Sequence, residues 1–383
     1  MSQAYLKPVL VNPTWPTVGD DSYTLDSTAY MKRVTSNPGN MVFLYALTQE
    51  IEGLKHYKAK GYTGCDMSVW GCSNFIHHRR EMLTDHPVFK SFDTNYVAIG
   101  LGAQAPNYDF VTDVPEGTLS WLNEIISRAH SEHPNITVRG PHTYSILKKY
   151  GLEKHAVIMG CPSLFINPAT NLGEELSRKF TSGQEKVAVT PGYVGNCAKI
   201  YEQIERSLAQ IATEYGGGYI CQGPEEVIHM VRGEYQKADP ERVAKANKTL
   251  FPDLEPDVFR KWFKRHSMVF GAVPPWMEYL RTCDLVMGTR IHGTILALQS
   301  GTPALCIALD ARHRELCETM LVPWVWWEDV KDGITVADAV ELLKDVDWYE
   351  FDRNRKKLAR EYITFLTNNG LKASAAVAAI AKA

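Results

Sequence analysis

Residues 283–310, CDLVMGTRIHGTILALQSGTPALCIALD, place two apolar runs on either side of a segment with helical spacing. The run Leu285–Met287 predicts a buried strand, and apolar residues between 291 and 298 recur on one helix face. Gly301 stands where a helix commonly ends, and Pro303 prevents its continuation. Strands joined through a helix run parallel, so this stretch predicts an α/β fold with a parallel sheet.

The same alternation runs through the rest of the 383-residue chain. A polar stretch at residues 171–185 separates two series of strand-like and helix-like runs. A chain of this length exceeds what one core usually holds, so we predict two doubly wound, Rossmann-like domains that face each other across a cleft. The predicted bounds are 1–180 for the N-terminal domain, 181–345 for the C-terminal domain and 346–383 for a helical tail.

Two stretches carry more specific predictions. The sequence NPGNMVFLYALTQEIEGLKHYKAKGY (37–62) predicts one helix that begins at Gly39 and Asn40. The sequence DPERVAKANKTLFPDLEPDVFRKWFKRH (239–266) predicts helical material inserted into the second domain.

The composition argues against several classes of function. The net charge is −3 with no basic block, so we expect no nucleic-acid partner. No G-x-G-x-x-G or Walker sequence is present, which disfavours a dinucleotide site. None of the eight cysteines forms a C-x-x-C pair, so we expect reduced, buried thiols and neither metal nor cofactor. The chain lacks a leader-like start and a bilayer-spanning apolar window, so we expect a cytoplasmic protein without stable membrane insertion.

Arg290 and His292 fall between the end of a predicted strand and the start of a predicted helix. Free backbone N–H groups and the helix dipole favour an anion at that position. A guanidinium binds carboxylate or phosphate through two hydrogen bonds, and an imidazole exchanges a proton near neutral pH. Arg290 as a carbonyl cap and His292 as a satisfied core residue form the alternative, but the pattern favours an anion-and-proton site.

The segment from Cys283 to Pro323 resembles the signature of the polysaccharide pyruvyl transferase family. That signature reads roughly Asp-x-x-x-Gly-Ser/Thr-Arg-x-His-Gly, then an Ala-rich helix, Gly-x-Pro and an Asp-containing loop. The matching residues are Asp284, Gly288, Thr289, Arg290, His292, Gly293, Gly301, Pro303 and Asp310. The first half agrees in NPGNM (37–41), SVWGCSNFI (68–76), YVAIGLGAQ (96–104) and ITVRGPHTYSILKKYGLEKHAVIMGCPSLF (136–165). The resemblance covers most of residues 37–323 and is weakest across 225–265.

The resemblance implies a fold similar to GT-B glycosyltransferases and a ketal-forming reaction. The pyruvyl unit of phosphoenolpyruvate would move onto two hydroxyls of a saccharide or lipid-linked saccharide, in the assembly of a surface polysaccharide. The resemblance also implies that Arg290 and His292 bind the donor and assist proton transfer, and that Arg139 is their partner in the first domain. A donor with a carboxylate and a phosphate needs at least two cationic groups, which fits this set. For Arg139, a structural salt bridge between the domains is the alternative.

Further residues are candidates for substrate binding at the same cleft. They are Asn40, Asn74, Tyr193, Gly293, Asp310 and Arg312. The chain leaves the family pattern after Asp310, where many members carry Asp-Pro-Lys and this chain reads Ala311-Arg312-His313. Arg312 replaces the charge of the lysine or the loop takes a different substrate; an ion pair within the loop, between Asp310 and Arg312, is the alternative.

Trp324, Trp326 and Trp327 follow this loop closely. They predict either a stacking platform for an acceptor sugar or ordinary packing, and packing is favoured.

Two other functions stay open. A GT-B glycosyltransferase with a nucleotide-sugar donor would use the same cleft, although such enzymes usually place an acidic residue near the end of the helix that here ends in Gln299-Ser300. The second open function is that of a non-catalytic sugar-binding relative. A cleft without an ordered pair of cationic side chains would favour this function.

Overall fold

Two parallel β-sheets with helices packed on them make up the protein. The computed structural model describes residues 5–59, 63–85, 91–110, 112–192 and 198–382. Each sheet has six strands within these residues, and every strand pairing is parallel. The predicted fold class is therefore confirmed: an α/β protein with two Rossmann-like units, each built on a parallel sheet.

The first sheet is built by strands of the first half of the chain. These are β1 (Pro8–Leu10), β2 (Lys55–His56), β3 (Met67–Gly71), β4 (Asn95–Leu101), β5 (Ile136–Val138) and β6 (Ala156–Ile158). Their order across the sheet is β2-β1-β3-β4-β5-β6.

The second sheet is built by β7 (Val187–Thr190), β8 (Tyr219–Ile220), β9 (Ser267–Met268), β10 (Leu285–Gly288), β11 (Ala304–Ala308) and β12 (Trp324–Trp326). Their order is β12-β11-β10-β7-β8-β9. Every residue of β3, β7, β10 and β11 is buried, as parallel strands covered on both faces require.

Sixteen α-helices connect and cover the strands within the described residues. In the first half they are α1 (Ser27–Arg33), α2 (Asn40–Glu50), α3 (Met82–Asp85), α4 (Glu116–Ser127), α5 (Pro141–Lys149) and α6 (Leu172–Phe180). The second half contains α7 (Glu202–Tyr215), α8 (Glu225–Val231), α9 (Pro240–Leu250), α10 (Pro256–His266), α11 (Val273–Arg281), α12 (Ile291–Gln299), α13 (Ala311–Met320) and α14 (Val336–Leu343). The chain closes with α15 (Trp348–Asn368) and α16 (Ala375–Lys382). None of these helices combines the length and apolar character needed to cross a bilayer.

Helices α2 and α12 lie against each other between the two sheets. All nine residues of α12 are buried, and α2 buries residues around its whole circumference. A helix with so few polar positions must be covered on all sides. Each therefore packs against the other half, and one hydrophobic core runs from Leu10 in the first sheet to Leu285 in the second.

The single helix predicted over residues 37–62 is wrong in its extent. Helix α2 starts at Asn40 as predicted but ends at Glu50, and Lys55–His56 form β2. Gly53 has a φ of 75°, a left-handed conformation that glycine adopts without strain, so the chain turns there. The helical material predicted at 239–266 is confirmed as α9 and α10.

The predicted helical tail folds back onto the first half. Helix α15 packs along α6, and the backbone N–H of Leu6 donates to the carbonyl oxygen of Gly370 at 2.9 Å. Ile51 and Ala373 form an antiparallel bridge. The predicted domain boundaries at residues 180 and 345 fall at the end of α6 and between α14 and α15. They stay predictions.

The close packing of α6 on α15 predicts that a larger side chain between them lowers the stability of the fold. An added Cβ at Gly173 would lie 2.0 Å from the backbone oxygen of Trp348, which cannot move without shifting α15. We expect Gly173→Ala to lower the free energy of unfolding by about 1–3 kcal/mol, measured as a lower midpoint of thermal unfolding. Gly271→Ala is the matched control, because its added Cβ meets nothing closer than 3.4 Å. Equal midpoints for the two variants would contradict the tight seam.

Candidate active site

A cleft at the carboxyl ends of strands from both sheets brings together most of the predicted site residues. The residues of the prediction that line it are Asn40, Asn74, Arg139, Arg290, His292 and Arg312. The empty space between the walls is about 490 Å³. Asn74 follows β3 and Arg139 follows β5, whereas Arg290 follows β10 in the other sheet. Ligands of open α/β sheets bind at this edge, which is why the predicted residues converge.

Arg139 is buried without a carboxylate partner. Arg139 is only 1% exposed. Its Nε donates to the carbonyl oxygen of Gly100 at 3.0 Å, and its Nη2 donates to the carbonyl oxygen of Cys72 at 3.4 Å. An added Cβ at Gly102 would lie 2.6 Å from its Cδ, so a glycine is needed beside it. Within the described residues no carboxylate lies within 4.0 Å, so the predicted alternative, an interdomain salt bridge, is not present there. Burial, then the charge of Arg312, lowers the pKa of Arg139.

Arg290 stands at the start of α12. It is the N-cap residue, and its Nη2 donates to the carbonyl oxygen of Gly192, after β7, at 2.6 Å. The carbonyl oxygen of Thr190 accepts the backbone N–H groups of Thr289 and Arg290 at 3.0 and 3.2 Å, which fixes the turn. The residues of the first turn of α12, including His292, line the cleft, so the positive end of the helix dipole faces it.

The segment after Asp310, predicted as a loop, begins helix α13 instead. Asp310 is its N-cap, and its Oδ1 accepts the backbone N–H of His313 at 3.0 Å. Helices commonly begin at an aspartate whose carboxylate accepts the backbone N–H three residues later. The sequence interpretation missed this helix start. The ion pair that was the alternative is present, because Arg312 Nη2 lies 3.2 Å from Asp310 Oδ2. Asp310 therefore holds Arg312 and is not itself among the residues that line the cleft.

A hydrogen-bond chain connects Asp310 to the first sheet. Asn74 Nδ2 donates to Gln104 Oε1 at 2.7 Å, and Gln104 Nε2 donates to Asp310 Oδ2 at 2.9 Å. Burial opposes ionisation of Asp310, but the charges of Arg312 and His313 and the hydrogen bonds outweigh it and lower its pKa. Asp310 is therefore an anion that fixes Arg312 at the cleft wall.

His292 lies deep in the cleft. It is 8% exposed, its Nε2 is 3.8 Å from the Sγ of Cys161, and its ring centroid is 5.4 Å from that of Phe43. Burial lowers its pKa well below the ordinary value, and the charges of Arg139 and Arg312 lower it further. The imidazole is therefore neutral at neutral pH, and a neutral imidazole can accept a proton as a general base.

Three other predicted residues differ in their placement. Asn40 lines the cleft and donates from Nδ2 to the carbonyl oxygen of Val34 at 3.3 Å. Gly293 is not among the lining residues; an added Cβ there would lie 2.6 Å from Thr190 Cγ2, so a glycine lets α12 approach β7. Its substrate contact stays a prediction. Tyr193 lies outside the described residues.

Six lining residues were not among the predicted site residues. They are Asn37, Ser73, Gln222, Thr289, Ile291 and His313. Gln222 and Ser73 each follow a strand, so the rule that found Asn74 could have found them. His313 is buried, and burial and Arg312 lower its pKa to about 3 against the opposing effect of Asp310. It adds a second neutral imidazole to the cleft.

The described side chains that line the cleft carry more positive than negative charge. Three guanidiniums line it and no carboxylate does, within the part of the chain that the structure describes. The same residues contain no group of three His, Cys, Asp or Glu side chains arranged to hold a metal ion. The arrangement suits a small ligand with several negative charges beside a neutral imidazole.

Comparison with known proteins gives one family. The fold is similar to a trehalose-6-phosphate synthase (8% identity, TM-score 0.36, 90% of this chain and 74% of that chain). It is also similar to a UDP-glucose:anthocyanidin 3-O-glucosyltransferase solved with UDP (12% identity, TM-score 0.33, 98% and 99%). At these TM-scores neither likeness bears on function, and no curated protein matches the sequence. Residues 30–311, well over half of the chain, match the model of the family described as polysaccharide pyruvyl transferase. The chain belongs to the polysaccharide pyruvyl transferase family.

Proposed function

We propose that the protein transfers the pyruvyl group of phosphoenolpyruvate onto two hydroxyls of a saccharide and forms a cyclic ketal. The observation that carries this proposal is the buried guanidinium of Arg139, which donates to carbonyl oxygens, has no carboxylate within 4.0 Å among the described residues, and lines one cleft with Arg290 and Arg312. A buried charge without a carboxylate in direct contact is costly, so the site favours a ligand that brings negative charge.

Phosphoenolpyruvate matches this charge pattern. It carries a carboxylate and a phosphate on the same carbon, C2, and each group accepts two hydrogen bonds from one guanidinium. The N-terminus of α12 adds backbone N–H groups and a dipole of the same sign as the arginines. Arg312 supplies the charge that the lysine of the common family pattern would supply, from the first turn of α13.

The reaction balances in two steps. In the first, a saccharide hydroxyl adds to C2 of phosphoenolpyruvate, and the proton it loses is matched by one gained at the methylene carbon, which becomes a methyl group. In the second, the C2–O bond to phosphate breaks, and a neighbouring hydroxyl of the same saccharide bonds to C2. Phosphate leaves with the second proton, and no oxidant or metal takes part in the balance.

His292 is the group that we assign to these proton transfers. Its neutral ring accepts the proton of the attacking hydroxyl. A bound dianion or trianion offsets the positive charges of Arg139 and Arg312, so the imidazolium that results is far more stable than in the free protein. The same residue then delivers the proton to the methylene carbon.

The reaction itself is the first test. Incubation with phosphoenolpyruvate and a set of pyranosides should release inorganic phosphate and add the mass of a pyruvyl ketal to one of them. Phosphate is measured by a coupled assay and the product by mass spectrometry. Absence of phosphate release with every acceptor, together with thermal stabilisation by UDP-sugars, would replace this proposal by a nucleotide-sugar glycosyltransferase.

Arg139 gives a matched pair of variants. Arg139→Lys keeps a charge but loses the forked donor geometry, so we expect the KM for phosphoenolpyruvate to rise by about tenfold to a hundredfold. Arg355→Lys is the control: Arg355 is equally buried and donates to carbonyl oxygens such as that of Leu164, but it does not line the cleft. The control should lose thermal stability and keep its KM. A similar KM for phosphoenolpyruvate in both variants would show that Arg139 does not bind the donor.

The pKa of His292 predicts a proton linkage. Its pKa is low in the free protein and rises when the anion binds, so binding should take up protons, increasingly as the pH falls from neutrality. Calorimetric titration with phosphoenolpyruvate in buffers of different ionisation enthalpy measures the uptake. Phosphoenolpyruvate titrates as well, so the quantity to compare is wild type minus His292→Gln, which we expect to be positive. The variant should also lose about a hundredfold or more in kcat while staying folded. Equal uptake in both proteins would contradict the role of His292.

A further inference from the structure

A second cavity adjoins the cleft and is built from both halves of the protein. Its lining includes the large side chains of Phe110, Ile200, Tyr201, Trp326 and Trp327, and we name it the aromatic groove. The cavity volume is about 510 Å³. This volume is within the range of small-molecule sites and leaves room for a sugar ring.

Only a layer of side chains separates the groove from the cleft. Gln104 and Asp310 line the groove. Asn74, which lines the cleft, donates to Gln104, and Asp310 accepts from both Gln104 and Arg312. A molecule in the groove therefore lies beside the residues that fix the donor arginine.

The aromatic side chains of the groove are incompletely buried. At its rim, Phe110 is 45% exposed and Ile200 is 52% exposed, one from each half of the chain. Trp327 is half-buried and holds its ring edge-to-face with Tyr201, at 5.1 Å and 82°. Trp326 is half-buried at the end of β12. Such a concentration of large exposed rings beside a cleft is typical of a binding surface.

Trp324 differs from the other two tryptophans. The guanidinium carbon of Arg314 lies 5.8 Å from its ring, and Trp324 is not among the residues that line the groove. The packing predicted for all three tryptophans from the sequence therefore fits Trp324, whereas Trp326 and Trp327 face the groove.

The charged groups that line the groove differ from those of the cleft. Glu328, His78 and the Asp310 that pairs with Arg312 line it, and no arginine or lysine does among the described residues. An anionic ligand is therefore disfavoured there, while carboxylate oxygens accept hydrogen bonds from hydroxyls. The negative face of an indole attracts the C–H groups on the flat face of a pyranose ring. This combination suits an uncharged sugar.

We propose that the aromatic groove binds the acceptor as an uncharged saccharide, with one pyranose ring stacked on Trp326 and the terminal ring reaching past Gln104 to the donor. The assignment of this sugar as an acceptor rests on the proposed function. The binding itself does not, because it needs no phosphoenolpyruvate.

The experiment measures sugar binding without any donor. The probes are the methyl pyranosides of galactose, glucose, mannose and N-acetylglucosamine, detected by saturation-transfer difference NMR and by tryptophan fluorescence. We expect at least one to bind saturably, and Trp326→Ala to weaken that binding by about tenfold or more. Trp326→Phe keeps a stacking face and should retain most of the affinity. Trp324→Ala, which removes an indole two residues away on the same strand, should leave the affinity unchanged.

Three results would overturn the proposal. One is no saturable binding of any of the four sugars at millimolar concentration. Another is equal weakening by Trp324→Ala and Trp326→Ala. The third is binding of methyl glucuronide as tight as that of methyl glucoside, since the groove carries carboxylates.

The two proposals fail separately. If sugar binding depends on Trp326 but no phosphate is released from phosphoenolpyruvate, the sugar site in the groove is supported and the proposed donor is wrong. If phosphate is released and Trp326→Ala does not change the KM for the acceptor, the proposed reaction is supported and the proposed sugar site in the groove is wrong.

Discussion

The guanidinium of Arg139, buried with neutral carbonyl oxygens as partners, is the constraint on which the site depends. Charge from Arg290 and Arg312 enters the same cleft, and burial keeps water from screening it. The fold tolerates this in the unliganded protein because Asp310 pairs with Arg312 and both lining imidazoles are neutral. A ligand with several negative charges would offset this excess of positive charge, and on this basis we propose an anionic donor.

Close approach of the two halves creates the cleft, and glycines make that approach possible. An added Cβ at Gly39 would lie 2.5 Å from Gln222 Oε1, and one at Gly140 would lie 2.7 Å from Glu315 Cβ, in each case across the halves. Beside Gly140, Glu315 accepts hydrogen bonds from the backbone N–H and hydroxyl of Thr143 at 2.9 and 2.6 Å. Burial raises the pKa of Glu315 to about 7, although these hydrogen bonds oppose the rise. The seam thus includes close backbone contacts and buried polar pairs, together with exposed ion pairs such as that of Lys237 with Asp26 at 3.0 Å.

One row of side chains serves both cavities. Asn74, Gln104, Asp310 and Arg312 run from the first sheet to the start of α13, with the cleft on one side and the aromatic groove on the other. The cleft is cationic, whereas the groove carries carboxylates and aromatic rings. Under the proposed function, this division separates recognition of an anionic donor from recognition of an uncharged acceptor while keeping the two sites adjacent.

The sequence by itself determined the parallel α/β class and the strand-end positions of Arg139, Arg290 and His292, because hydrophobic periodicity is local and the carboxyl edge of a parallel sheet collects such residues. It missed that Asp310 is the N-cap of α13, because the polar stretch ARHRE shows no clear helical pattern. Only the tertiary structure decided that no carboxylate of the described residues contacts Arg139 directly, that burial among arginines keeps His292 neutral, and that Trp326 faces a groove while Trp324 packs beside Arg314. These properties depend on which distant residues share a volume from which water is excluded, and spacing along the chain carries no information about that.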